Sequence, residues 1–346
     1  MTGGTSENRR RWRIRAAAFL AALGMAAAPL SAYGAAVGKP PTNAYTADGT
    51  WQAAAPVGAK ATAPPGAPIA SARLSDGSPV AFFVGDDGAI WGGCGSLWRM
   101  TPVKLLRPGT PLTVAATPTV VMLLFSNDQG QTSGIHIEAE IHHPCDVSRD
   151  VPPPPDPESP PGAWHVPNGT IAATGLPDGE IGVFAVDVTG AVHATWRSPS
   201  GRWTDKTLTP SGTSLPGGGI ASTLSPTDGS LTLFYSNHSG QVILAQVTEG
   251  AGLRADPRPS PWTGAKISDG AALAGVSSTL GNDIAYIAAG GTAIDLQTDT
   301  ANQWMNAVTL SPPGFAKDGR PVAVTASPDE VDVYCGTTTP GWITGS

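Results

Sequence analysis

Residues 169–196 read GTIAATGLPDGEIGVFAVDVTGAVHATW. Three apolar runs of strand length, IAATG, IGVFAV and AVHATW, are separated by two short polar turns. Each turn carries a glycine, which adopts at little cost the positive φ that tight hairpins need. The stretch therefore predicts three antiparallel strands in a meander. Five other stretches follow the same plan: PIASARLSDGSPVAFFVGDDGAIW, PLTVAATPTVVMLLFSNDQGQ, GIASTLSPTDGSLTLFYSNHSGQVILAQV, GAALAGVSSTLGNDIAYIAAGGTAIDL and GRPVAVTASPDEVDVYCGTTTPGW. The second strand of each holds the strongest apolar residue, in order Phe83, Phe125, Phe184, Phe234, Tyr286 and Tyr334.

The glycines that close the second turns are Gly88, Gly130, Gly190, Gly240, Gly291 and Gly341, spaced 42, 60, 50, 51 and 50 residues apart. That period suits a four-stranded unit, and its repetition predicts an all-β fold, a six-bladed β-propeller with four-stranded blades. One blade cannot bury both of its faces, whereas blades packed radially cover one another. Tryptophan marks the expected fourth strands: Trp98, Trp164, Trp203, Trp262 and Trp304. The last repeat reaches only its third strand, at Trp342. The stretch GTWQAAAPV (49–57), headed by Trp51, is expected to supply the missing strand and close the ring from the other end of the chain. The Pro-rich, acidic run 151–161 reads as an exposed loop within the second blade.

Ahead of the repeats, five arginines between Arg9 and Arg15 precede the apolar run AAAFLAALGMAAAPL. Residues 1–36 therefore read as an export signal that loosely resembles the twin-arginine type, and 37–48 as a linker into a propeller spanning 49–346. The expected location is secreted, periplasmic or cell-surface, without membrane insertion after cleavage. Removing the signal takes five basic residues and one acidic residue, leaving a net charge of −11. Such a surface repels phosphate backbones and anionic lipid headgroups, so a nucleic-acid role is not expected. Of the three cysteines, Cys94 and Cys145 follow third strands of adjacent blades and are the expected disulfide, leaving Cys335 as a buried thiol.

Chemistry is sparsely signalled. In GIHIEAEIHH, strand alternation puts His136, Glu138, Glu140 and His142 on one face, residue types that ligate transition metals. Neighbours two apart lie about 6.6 Å apart along a strand, so at most two of the four can hold one ion. Asp76, Asp86, Asp87, Asp178 and Asp228 sit in Asp-Gly turns where calcium is an alternative to plain turn chemistry. No cofactor is called for, and no nucleophile motif is present. A glycosidase pair of carboxylates from distant strands stays open as an alternative.

The recurring plan, in FFVGDDGAIW, VFAVDVTGAVHATW and GRWTDKTL, resembles the tectonin-type and fucose-lectin-type β-propellers over nearly the whole chain after residue 36. The resemblance implies a non-catalytic binding protein that holds glycans, or a cell-surface partner, in clefts between blades. There an aromatic ring stacks on the apolar face of a sugar while Arg and Glu take its hydroxyls. Trp91, His193, Ile243 and Asp295 are read as occupying equivalent third-strand positions, and no Arg/Glu pair repeats. Trp91, His193 and Trp196 are the ligand-binding candidates. A protein-interaction scaffold and a propeller-fold hydrolase or lyase are the alternatives, the latter requiring carboxylates at the central opening.

Overall fold

The computed structural model describes residues 68–73, 79–93, 98–108, 110–126, 132–138, 170–248, 252–253, 257–262, 266–267, 271–311, 313–314, 322–327, 330–336 and 342–345. The expected export signal (1–36), linker (37–48), N-terminal strand (49–57) and Pro-rich loop (151–161) lie outside these residues. So do Cys94, Cys145, Glu140, His142 and Trp164.

Every element is a strand. The first sheet is β1–β4 (Ile69–Arg73, Pro79–Val84, Ile90–Gly93, Trp98–Arg99) and the second is β5–β7 (Leu112–Ala116, Val120–Ser126, Thr132–Glu138). The third is β8–β11 (Ile171–Gly175, Ile181–Val186, Val192–Arg197, Trp203–Thr207). The fourth comprises β12–β16 (Ile220–Leu224, Leu231–Ser236, Val242–Thr248, Gly252–Leu253, Arg258–Pro259). The fifth is β17–β20 (Ala274–Ser278, Gly281–Ile287, Ala293–Thr298, Trp304–Thr309) and the sixth β21–β23 (Val322–Ser327, Glu330–Gly336, Trp342–Gly345). All are antiparallel meanders.

The opening strands neighbour one another in a cycle, β1 beside β5, then β8, β12, β17 and β21, which returns to β1. At that return the Ser71 hydroxyl donates to the Val324 carbonyl at 3.3 Å. The architecture is an all-β propeller. Five apolar clusters each span two consecutive sheets, from the first and second (Phe82, Val84, Leu123, Phe125) to the fifth and sixth (Ile287, Ala293, Val322, Val324). Second strands therefore have two buried faces, and β9, β13 and β18 are buried throughout.

The four second turns among the described residues behave as their glycines require. Gly88, Gly190, Gly240 and Gly291 all have φ between 70° and 76°. At Gly190 the chain leaving β11 also passes so close that an added Cβ would meet the Ser214 carbonyl, where Ser214 N–H bonds to the Gly190 oxygen at 2.9 Å.

Other expectations on register change. Phe83, Phe125 and Tyr286 share one register position, but Phe184, Phe234 and Tyr334 fall one residue earlier and hence on the opposite face. The fourth-strand tryptophans are not one position either. Trp203 pairs with Arg197 and Trp304 with Thr298, seven residues past their turn glycines, whereas Trp98 pairs with Gly92, only four past Gly88. Trp262 lies beyond β16. A buried hydroxyl is the steadier mark of a fourth strand's end. Ile90 N–H donates to Thr101 Oγ1 at 2.8 Å, Val192 N–H to Thr209 Oγ1 at 2.9 Å and Ala293 N–H to Ser311 Oγ at 2.8 Å. Proline follows each of these hydroxyl residues in the sequence, and proline cannot continue a ladder.

Candidate inter-sheet binding cleft

The residues facing the second sheet from the third differ from those at matching positions elsewhere. On β9 they are Ala185, Val183 and Ile181, paired in turn with His193, Thr195 and Arg197 on β10. These pair outward with Thr207, Asp205 and Trp203 on β11. The corresponding third-strand residues of the fourth sheet are Ile243, Ala245 and Val247, and those of the fifth are Ile294, Leu296 and Thr298. The third sheet thus carries a polar strip on its third strand where the fourth and fifth carry mostly aliphatic side chains, whereas the indole of Trp203 has a counterpart in Trp304 of the fifth.

Within the strip, Asp187 organises one end. Its Oδ1 accepts the Thr189 N–H and hydroxyl, both at 2.8 Å, and the Ala191 N–H at 3.0 Å. Its Oδ2 lies 3.0 Å from His193 Nε2, and His193 Nδ1 lies 3.3 Å from Thr207 Oγ1. Burial pushes the Asp187 carboxyl up, but the bonds from Thr189, His193 and Ala191 outweigh it and hold the group below its ordinary value. Farther along, Thr195 donates to Asp205 Oδ1 at 3.3 Å. Asp205 is exposed, and Arg197 is buried. Trp203 is half-buried against the apolar cluster that contains Met122 and Leu124 of the second sheet. The exposed Asp205 carboxylate and Thr207 hydroxyl, the half-buried Trp203 indole and His193 imidazole and the buried Arg197 guanidinium therefore share one face of the third sheet. This is a set suited to a ligand with both an apolar face and directed hydroxyls.

The sequence candidates separate. Trp91 and His193 each lie three residues past a turn glycine, so they do occupy equivalent positions, but on different sheets. Trp91 is half-buried, donates from Nε1 to Asp87 Oδ1 at 3.1 Å, and pairs with the exposed Arg99 on β4. Trp196 stands three residues from His193 and so faces the other way. It is 5% exposed and meets Phe184 edge-on at 5.5 Å, which leaves no free ring face for a sugar. Register also corrects the fifth sheet: Ile294, not Asp295, matches Trp91 and His193. Asp295 faces the sixth sheet instead, fully buried, with Gln297 Nε2 bridging it to Asp283 at 3.0 and 3.2 Å.

For the metal candidates, register places His136 opposite Met122 and Glu138 opposite Val120 on the backbone of β7. Among the described residues no group of three or more His, Cys, Asp or Glu is placed to hold an ion. Of the Asp-Gly turns, Asp178 Oδ1 accepts Glu180 N–H and Asp228 Oδ1 accepts Ser230 N–H, while Asp76 lies outside the described residues. Cys335 lies on β22 in register with Val322.

Sequence reasoning passed over Arg197, Asp205, Asp187 and Thr207. Two stretches signalled Arg197, Asp205 and Thr207, HATWR and WTDKT, either side of a five-residue turn, because period two on both arms of a hairpin aligns 193/195/197 with 207/205/203. The cavity on the ring axis, about 180 Å³, is lined by the opening strands, with Ser71, Thr113, Ala173, Ser222 and Gly275 among its residues. No ionisable side chain is among its described lining residues.

Compared by sequence, the chain matches no protein-family model and no curated protein. Solved structures do match. The BP39L lectin from Burkholderia pseudomallei superposes with a TM-score of 0.63 at 19% identity, covering 80% of each chain. AofleA from Arthrobotrys oligospora gives 0.60 at 14% identity, over 81% of this chain and 82% of that one. The Aleuria aurantia lectin, described as a six-bladed β-propeller with a novel fucose recognition mode, gives 0.51 at 13% identity, over 81% and 94%. At these identities the likeness is one of fold, that of a β-propeller.

Proposed function

We propose that the protein is an exported, non-catalytic, lectin-like propeller that binds a glycan in the cleft between its second and third sheets. The observation that carries this reading is the strip of Arg197, Trp203 and Asp205 beside His193 and Thr207, on a sheet whose third strand carries His193, Thr195 and Arg197 where that of the fourth carries Ile243, Ala245 and Val247 and that of the fifth Ile294, Leu296 and Thr298. A pyranose offers a face of C–H groups to an indole and hydroxyls to a carboxylate and a guanidinium. Fucosides are the first sugars to try, since structures of the same fold include a lectin in complex with α-methyl fucoside. Trp91 with Arg99 and Asp87 on the first sheet is the second place for a sugar. The uncharged residues described around the axial cavity support a binding role over hydrolysis.

The finer architecture belongs to the same reading. The ring has six blades, and residues 49–57 add the fourth strand to the sixth sheet beside β23. Residues 1–36 direct export to the periplasm, the cell surface or the medium, so the partner is a glycan met outside the cytoplasm.

The test is a glycan array on the chain from residue 37 onward, followed by calorimetry with the sugars that bind. Asp205→Asn, at an exposed site, lowers affinity about tenfold with an unchanged melting temperature, and Trp203→Ala lowers it at least as much. If both variants bind like the parent protein, the cleft is misassigned. Silence across the array removes the lectin reading and leaves a protein-interaction scaffold.

A further inference from the structure

We infer that a buried polar network locks the fourth and fifth sheets into one unit, so that they part only when the ring unfolds. The lock involves no residue of the cleft between the second and third sheets, and so does not depend on what binds there.

Asn282, on β18 of the fifth sheet, is the centre of the network. Its side-chain oxygen accepts the hydroxyl hydrogen of Thr223, on β12 of the fourth sheet, at 2.7 Å. Its amide nitrogen donates to Thr298 Oγ1 on β19 at 2.9 Å and to Asn302 Oδ1, in the turn before β20, at 2.8 Å. Asn302 Oδ1 also accepts the hydroxyl hydrogen of Thr232, back on β13 of the fourth sheet, at 3.2 Å. All of these residues are buried. From β16 of the fourth sheet, the half-buried Arg258 donates to the same turn, from Nη2 to the Asn302 carbonyl at 2.8 Å and from Nη1 to Gln303 Oε1 at 3.0 Å. Asn302 has a φ of 57°, a left-handed conformation that asparagine adopts more readily than most residues. One position thus supplies both the turn and the acceptor.

The apolar cluster at this junction includes Phe234, Leu244, Ile284 and Leu296. Apolar contact is non-directional and survives small displacements, whereas a hydrogen bond holds only within a narrow range of distance and angle. Sliding or parting the two sheets takes the Thr223 and Thr232 hydroxyls off their asparagine oxygens at buried positions. A buried polar group without a partner is costly, so partial opening here is penalised beyond the loss of apolar area.

Native-state hydrogen exchange of the full chain in low urea tests the lock. In the parent protein the slowest amides of β12 and β13 and those of β18 and β19 are expected to share one protection factor and one urea dependence, as members of a single opening. Thr223→Val with Thr232→Val removes both hydroxyl bridges at nearly constant volume and leaves the bonds of Asn282 within the fifth sheet intact. In that variant the two sets should diverge, with protection differing about tenfold or more. Should it fail to fold, Thr223→Val alone is read the same way, with a divergence of about threefold. Separate openings for the two sheets in the parent overturn the lock. Protection that stays common to both sheets after the substitutions overturns the role of the network.

Discussion

His193 and Trp196 are three residues apart on one strand, and that odd separation decides their roles. His193 faces the second sheet with Thr195 and Arg197, while Trp196 faces the fourth and is packed against Phe184. Strand alternation alone separates them, since residues at odd offsets occupy opposite faces. Which face is open to solvent is a different matter, because both faces of β10 are covered by neighbouring sheets. Asp187 carries a prediction at this scale. Its carboxyl lies below its ordinary value in the folded state, so it binds protons less readily there than in the unfolded chain. The resulting stabilisation is complete above the unfolded value of about 3.9 and is lost as pH falls through the lower folded value. Urea unfolding should show the parent's advantage over Asp187→Ala present at pH 6 and shrinking as pH falls below about 4. An advantage that grows on acidification would contradict the assignment.

Single elements are delimited by hydroxyls rather than by tryptophans. Thr209 accepts the Val192 N–H with its side chain at a point where the ladder ends and Pro210 follows. Both partners are buried, so removing the hydroxyl leaves a backbone donor without water or protein to bond. Thr209→Ala should cost about 1–3 kcal/mol in denaturant unfolding, and Thr209→Ser well under 1. Equal costs for the two would show that the methyl group, not the hydroxyl, matters. The three-stranded meanders, their turns and their apolar second strands were all readable from residues 169–196 and its relatives. The tryptophan series was a weaker guide, because an aromatic side chain fills space at several registers of an outer strand. Trp98 and Trp203 stand three residues apart in register. A hydroxyl that must meet one N–H has far less latitude, yet Thr and Ser are too common for the pattern to stand out in a sequence.

The whole molecule depends on closure. The opening strands form a cycle in which β21 lies beside β1, and the Ser71–Val324 bond crosses that junction. In a ring of mutually covering sheets, exposing one face weakens both neighbours. If residues 49–57 supply the outer strand of the sixth sheet, deleting them should lower the melting temperature by more than about 5 °C. A truncated protein that melts with the full chain would mean that the ring is held shut without that strand. The sequence by itself determined the strands, the turns and their repetition, and hence the propeller, because alternation, turn glycines and a period near 50 residues are local properties of the chain. Only the tertiary structure decided the cleft. His193, Arg197, Trp203 and Asp205 become one wall through pairing across a hairpin, and a cleft through packing against a different sheet. That register and that packing are settled by contacts between residues far apart in the chain, which no local pattern encodes.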